Sequence, residues 1–179
     1  MCTHGANTKF AELGVPGRIW AIPAIHGNLA PLTHIHDIIY EAFHPGDQLL
    51  YFGNYTGYGP DNVEVIDELL TFRRLILSIP GVFPSDLVYL RGRQEEMIAK
   101  LLQLQFAPDA PGVLDWMLSN GLESTMRSYG MDINRGRRAA MEGVTGLGCW
   151  TKQIRDTLKR HAGHETFRNH LKRAAYTDM

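Results

Sequence analysis

Cysteine is scarce. The 179 residues contain two, Cys2 and Cys149, far apart and in no CxxC pair. That argues against a disulfide framework and against a thiolate zinc cluster. Cys149, in the segment GLGCW, reads as a small packed residue rather than a nucleophile. Long apolar runs are missing too: none approaches the ~18 residues that cross a bilayer. The first residues, MCTHGANTKFAELG, lack the charged-then-apolar pattern of a secretory leader. The expectation is a cytoplasmic protein with no membrane partner. There is no internal repeat, no low-complexity tract and no charge of one sign overall, the net value being −1. Charge is nevertheless uneven. Residues 1–90 hold 4 Lys/Arg against 9 Asp/Glu, and residues 91–179 hold 14 against 10.

What is present is ordinary globular material, 44% hydrophobic and 21% charged, at a length that suits one domain. Residues 1–17 read as a lead-in ending at the Pro16-Gly17 turn. Arg18 to Pro23 (RIWAIP) has the β-branched and aromatic bias of a buried strand. Leu29, Leu32, Ile35, Ile38, Ile39 and Phe43 recur at helical spacing, predicting a helix over 28–43. Gln48 to Phe52 predicts a second strand, and Gly53 to Pro60 a glycine-rich loop. A second helix runs from Pro60-Asp61 to about Ile79, Leu87 to Leu90 is a third strand, and a third helix follows Gly92. This β-α-β-α-β-α order predicts an α/β fold with a mostly parallel sheet and flanking helices. Ligands in such sheets bind beyond the carboxyl ends of the strands, here segments 23–28, 53–60 and 91–96. The second half reads as helical: short helices at 113–121 and 123–130, a loop over 134–148, and basic helices at 151–161 and 164–175. No fourth or fifth strand is expected.

Each strand-end segment carries a motif. They read Pro23-Ala24-Ile25-His26-Gly27, then Gly53-Asn54-Tyr55-Thr56-Gly57-Tyr58-Gly59, then Gly92-Arg93-Gln94-Glu95, with GPDN, VIDELL and EEM between and after, and WMLSNG, ST and SYG further on. In this order they resemble the GDxHG, GDxxDRG and GNHE motifs of the calcineurin-like metallophosphoesterases. The bacterial serine/threonine phosphoprotein phosphatases and symmetrical diadenosine tetraphosphatases are the most similar branch. The resemblance spans about residues 18–130. It implies a partial metallophosphoesterase-like sandwich over 18–179, without the family's C-terminal half and its later histidine ligands. Family members hold two metal ions about 3.5–4 Å apart, clamping the attacking and leaving oxygens of a phosphate ester.

Carried over residue by residue, the resemblance implies loss of that chemistry. The first ligand aspartate falls on Ala24, and its histidine is kept as His26. The bridging aspartate falls on Asn54. The aspartate that orients the acid falls on Gly57, and the phosphate-gripping arginine on Tyr58. The ligand asparagine falls on Arg93, and the general-acid histidine on Gln94. The reading is therefore of a catalytically inactive pseudophosphatase without a cofactor or bound metal, acting as a binding, assembly or regulatory module. Its expected partner is another protein or a second copy. A residual phosphoester or nucleotide hydrolase is one alternative, and an anion or nucleotide sensor using Arg93 another. His26, Tyr55, Tyr58 and Arg93 are the candidate anion- or partner-binding residues. Arg93 is expected to pair with Glu95 or Glu96. His34 and His36, two apart, cannot share a helix face as zinc ligands. His161 and His164 fall in a polar helical stretch. Arg135, Arg137, Arg138, Lys152, Arg155, Lys159, Arg160, Arg168, Lys172 and Arg173 form a basic run without a nucleic-acid motif, read as a solvated face. The apolar face of the sheet must be covered, by helices from 113–175 or by a partner.

Overall fold

The computed structural model describes residues 9–177; Cys2 and the start of the lead-in lie outside the described residues. Three strands, β2 (Arg18–Ile22), β3 (Asp47–Tyr51) and β4 (Leu87–Tyr89), pair in parallel in the order β2-β3-β4, and β2, expected to be buried, is an edge strand buried only at Ile22. Helix α1 (Leu29–Ala42) links β2 to β3, and α2 (Asn62–Leu77) links β3 to β4. The protein is thus α/β, as its alternation predicts. Register places Ile22, Tyr51 and Tyr89 on one row and Ala21, Leu50 and Val88 on the next. Successive strand residues face opposite sides. The first set packs on the stripe of α1 (Leu32, Ile39) and of α2 (Val65, Ile66, Leu69, Phe72, Ile76).

The second face is covered differently from the expectation. Strand β1 (Phe10–Glu12) pairs in parallel with β5 (Ala174–Tyr176), and Ala11, Leu13 and Ala175 pack on Leu50 and Val88. So a fourth and a fifth strand exist, the predicted lead-in contains one of them, and the predicted helix over 164–175 is α8 (His164–Asn169) followed by extended chain. Lys172 bridges Leu90, which carries the chain along the outer edge of β4.

Helices α3 (Arg93–Leu101), α4 (Ala110–Met117), α5 (Glu123–Ser128), α6 (Ile133–Met141) and α7 (Val144–Arg160) build their own core around Leu114, Met126, Leu147 and Trp150. They sit beside the sheet instead of on its open face. The loop expected over 134–148 is overturned, because it is α6 and the start of α7. Asp132 caps α6 by accepting from the amides of Asn134 (2.9 Å) and Arg135 (3.3 Å). A Cβ on Gly136 would overlap the Trp150 indole, so the missing side chain is what lets α6 lie against α7. Cys149 is exposed on α7, contrary to the packed position expected. No helix among the described residues is long and apolar enough to cross a membrane.

Two buried histidines tie these layers. His36 on α1 meets Glu68 (2.6 Å) and the Tyr51 hydroxyl (2.8 Å) and stacks on Phe72. His164 is not in a polar stretch; it is buried at the start of α8, between Asp67 of α2 (3.0 Å) and the Tyr129 hydroxyl (2.7 Å). Burial lowers both pKa values below the ordinary 6.5, against the raising effect of Glu68 and of Asp67 respectively. The unfolded chain therefore takes up these protons first as pH falls below 6.5. Stability present above that value is lost on acidification through the folded values. Calorimetry from pH 7.5 to 5.5 should show a falling Tm, and a His36→Asn/His164→Asn protein should show a smaller fall.

Candidate functional site

The carboxyl ends of β2, β3 and β4 place the three motif segments side by side, and backbone hydrogen bonds stitch them together. The amides of Ile25 (3.1 Å) and His26 (2.8 Å) both donate to the Asn54 carbonyl, and Gly27 N–H donates to the Tyr55 carbonyl (2.8 Å). Gly59 N–H returns to the His26 carbonyl at 2.6 Å. Such close approach needs small residues. A Cβ on Gly53 would overlap the Gly92 backbone, and one on Gly92 would overlap Asn54. His26 and Asn54 are the two non-glycine residues with positive φ among the described residues, at 53° and 54°. Both sit where a strand breaks into its loop, a conformation held by its surroundings.

Side chains complete the tie. The buried Glu95 carboxylate accepts three amides: Gly92 (2.8 Å), Asn54 (2.9 Å) and Tyr55 (3.0 Å). It thereby joins the β4 loop and the first turn of α3 to the β3 loop. Burial pushes its pKa above the ordinary carboxylate range, while the three amides pull the other way. All three neighbours are donors, so the ionised form is the one the geometry fits. The Asn54 side-chain oxygen accepts from the Gln94 amide at 3.1 Å. Asn62, fully buried at the start of α2, accepts from Gly57 N–H (2.6 Å) and donates to the Gly59 carbonyl (2.7 Å).

The predicted site residues divide into two groups. Turned inward are Asn54, Gly57 and Gln94, the last donating to the Asn120 carbonyl at 2.9 Å. Tyr55 joins them. It is fully buried, its hydroxyl donating to the Leu90 carbonyl (2.8 Å), so it is no part of a contact surface. Turned outward are Ala24, Tyr58 and Arg93, with His26 half-buried and edge-on to Tyr58 at 5.3 Å. The His26 Nδ1 is buried without a partner. Arg93 does not pair with Glu95 or Glu96. Glu95 is spent on amides, and Glu96 meets Arg91 at 3.2 Å. The Arg93 guanidinium instead donates to the Asn120 side chain and lies 5.6 Å from the Trp116 ring.

A pair of dications needs several carboxylate and imidazole ligands. The loops offer one imidazole, a carboxamide already accepting a hydrogen bond, a methyl group at Ala24 and a guanidinium, which do not fit such a centre. Among the described residues no group of three or more His, Cys, Asp or Glu is placed to hold a metal. The basic run is dispersed over several helices and partly spent, Arg137 on Asp115 (3.1 Å) and Arg138 on Asp132 (3.8 Å). Asn62 lies in the GPDN segment and Trp116 and Asn120 in WMLSNG, but the roles of these residues and of Glu95 were not assigned from the sequence. The role of Glu95 carried a local signal, three residues after the Gly92 that precedes α3. No protein-family model matches the chain, and a search of curated proteins finds no match.

Glu95→Ala would orphan three amides at the loop junction and should cost at least about 3 kcal/mol. Thermal denaturation should show Tm lowered by roughly 6–12 °C at this chain length. Gly92→Ala, which drives a methyl into Asn54, should be at least as damaging, whereas Ala24→Ser, at an exposed position, should leave Tm unchanged.

Proposed function

We propose that this chain is a non-catalytic relative of the calcineurin-like metallophosphoesterases that uses the strand-end face of its sheet to bind a protein partner or a second copy of itself. One observation carries the reading. The three strand-end loops are cross-tied, while the positions that the motif resemblance makes ligand, acid and phosphate grip hold Ala24, Asn54, Gly57, Tyr58, Arg93 and Gln94. A scaffold kept rigid without its chemistry supports recognition more than turnover.

What that face displays supports a protein contact. Tyr58 is 57% exposed and Trp116 53% exposed, with the Arg93 guanidinium near the indole. Tyr, Trp and Arg are the residues most enriched among binding hot spots. Held on a cross-tied support, they would lose little conformational entropy on binding. The amphipathic rings contribute area, and the arginine contributes direction toward a carboxylate-bearing partner.

Metal analysis by mass spectrometry after loading with Mn²⁺ and desalting, with hydrolysis of p-nitrophenyl phosphate read in parallel, tests the loss of chemistry. The expected outcome is fewer than about 0.1 metal equivalents and background hydrolysis, because the two-metal reaction needs both ions. About two equivalents with turnover would instead establish a residual hydrolase. Sedimentation velocity tests the self-association arm: a dimer that dissociates on Tyr58→Ala or Trp116→Ala substitution places the interface on this face.

A further inference from the structure

On another part of the molecule, a cleft of about 400 Å³ opens between α2, β4 and α8, lined by Leu70, Arg73, Tyr89, Phe167 and His170. It adjoins a second cleft of about 360 Å³ that shares Arg73, Tyr89 and His170. Each lies within the roughly 300–1,000 Å³ range of small-molecule sites. Three polar residues line both clefts, each with hydrogen-bonding capacity unspent. Tyr89 is 8% exposed, yet its hydroxyl has no partner. A buried polar group left unpaired is costly and calls for an explanation. Burial pushes the Tyr89 phenol well above its ordinary pKa, so it remains an O–H donor in neutral solution. The Arg73 side chain has no hydrogen bond or ion pair among the described residues, although it is half-buried. His170 donates its Nδ1 proton to the Thr166 carbonyl (2.7 Å), which leaves Nε2 open.

The guanidinium and the phenol make a pair of donors for an oxyanion, while the open Nε2 of His170, its ring proton held on Nδ1, is an acceptor. The apolar part of the lining comes from Leu70, on the same helix as Arg73, and from Phe167, whose ring lies edge-on to Tyr89 at 5.2 Å. Of the residues lining the two clefts, one is acidic, the exposed Glu12 of β1. We propose that this cleft binds a small organic oxyanion, its charged end on Arg73 and the Tyr89 hydroxyl and its apolar body against Leu70 and Phe167. The ligand class is an aryl or alkyl phosphate or carboxylate. None of these residues belongs to the strand-end motifs, so the inference stands apart from the reading of that face.

Titration calorimetry on the full chain tests it with phenylphosphonate, which no phosphatase activity can hydrolyse, with benzoate, and with benzyl alcohol as the uncharged control. Saturable binding of either anion is expected, with benzyl alcohol weaker by at least about tenfold. The stronger of the two anions identifies the phosphate or the carboxylate source. Arg73→Gln and Tyr89→Phe should each weaken anion binding by about tenfold. Tyr89→Phe removes only an unpartnered hydroxyl, so its Tm should equal or exceed that of the parent, which separates lost binding from lost folding. No binding of either anion at millimolar concentration, or equal affinity in both variants, would overturn the proposal.

Discussion

The arrangement of the strand-end face depends on one carboxylate. Glu95 stands in the first turn of α3 and collects amide protons from Gly92 beside it and from Asn54 and Tyr55 some forty residues earlier. Charge-assisted hydrogen bonds of this kind contribute about 1.5–3 kcal/mol each, against an ion-burial cost of several kcal/mol. The two sums are comparable. Glu95 therefore contributes less to net stability than to geometry, because with it in place the β3 loop has one position relative to α3. The other contacts follow from that position. Gly53 and Gly92 can approach to backbone distance, the Asn54 side chain reaches the Gln94 amide, and Tyr55 is drawn inward to the Leu90 carbonyl.

This inward allocation of polar groups decides what is left outside. The acceptors at the strand-end loops are consumed by backbone donors, so little negative charge faces solvent there. Arg93 consequently turns to Asn120 and Trp116. A face of aromatic rings and a guanidinium on a cross-tied base is suited to recognition. Among the described residues the sheet beneath it is covered by α1 and α2 on one face and, over β3 and β4, by the short β1–β5 ribbon on the other, while Ile19 and Ala21 of β2 stay exposed.

Much of the first hundred residues was legible because period and punctuation agree there. Apolar runs ending in Gly or Pro became β2, β3 and β4, and the 3.6-residue stripes became α1 and α2. The motif segments likewise landed together at the strand ends. What stayed hidden was non-local or built from small residues. β1 and β5 are three residues each, and their pairing joins Phe10 to Ala174, with no local signal for it. The buried face of α6 is Ile133, Gly136, Ala139 and Ala140, helically spaced but mostly too small to give a strong apolar signal, although it packs on Trp150. The direction of Tyr55 depends on two successive positive-φ residues, Gly53 and Asn54. Glu95 could be placed near the start of a helix from its spacing, but two of its three donors come from another loop.

Native-state hydrogen exchange at the amides of Asn54, Tyr55 and Gly92 tests the central role of Glu95 most directly. If its carboxylate holds the three loops as one unit, these amides should exchange only through opening as costly as that of the β3 core, and Glu95→Gln should release them while Leu50 stays protected. Fast exchange of all three in the parent protein, with Leu50 protected, would contradict the account.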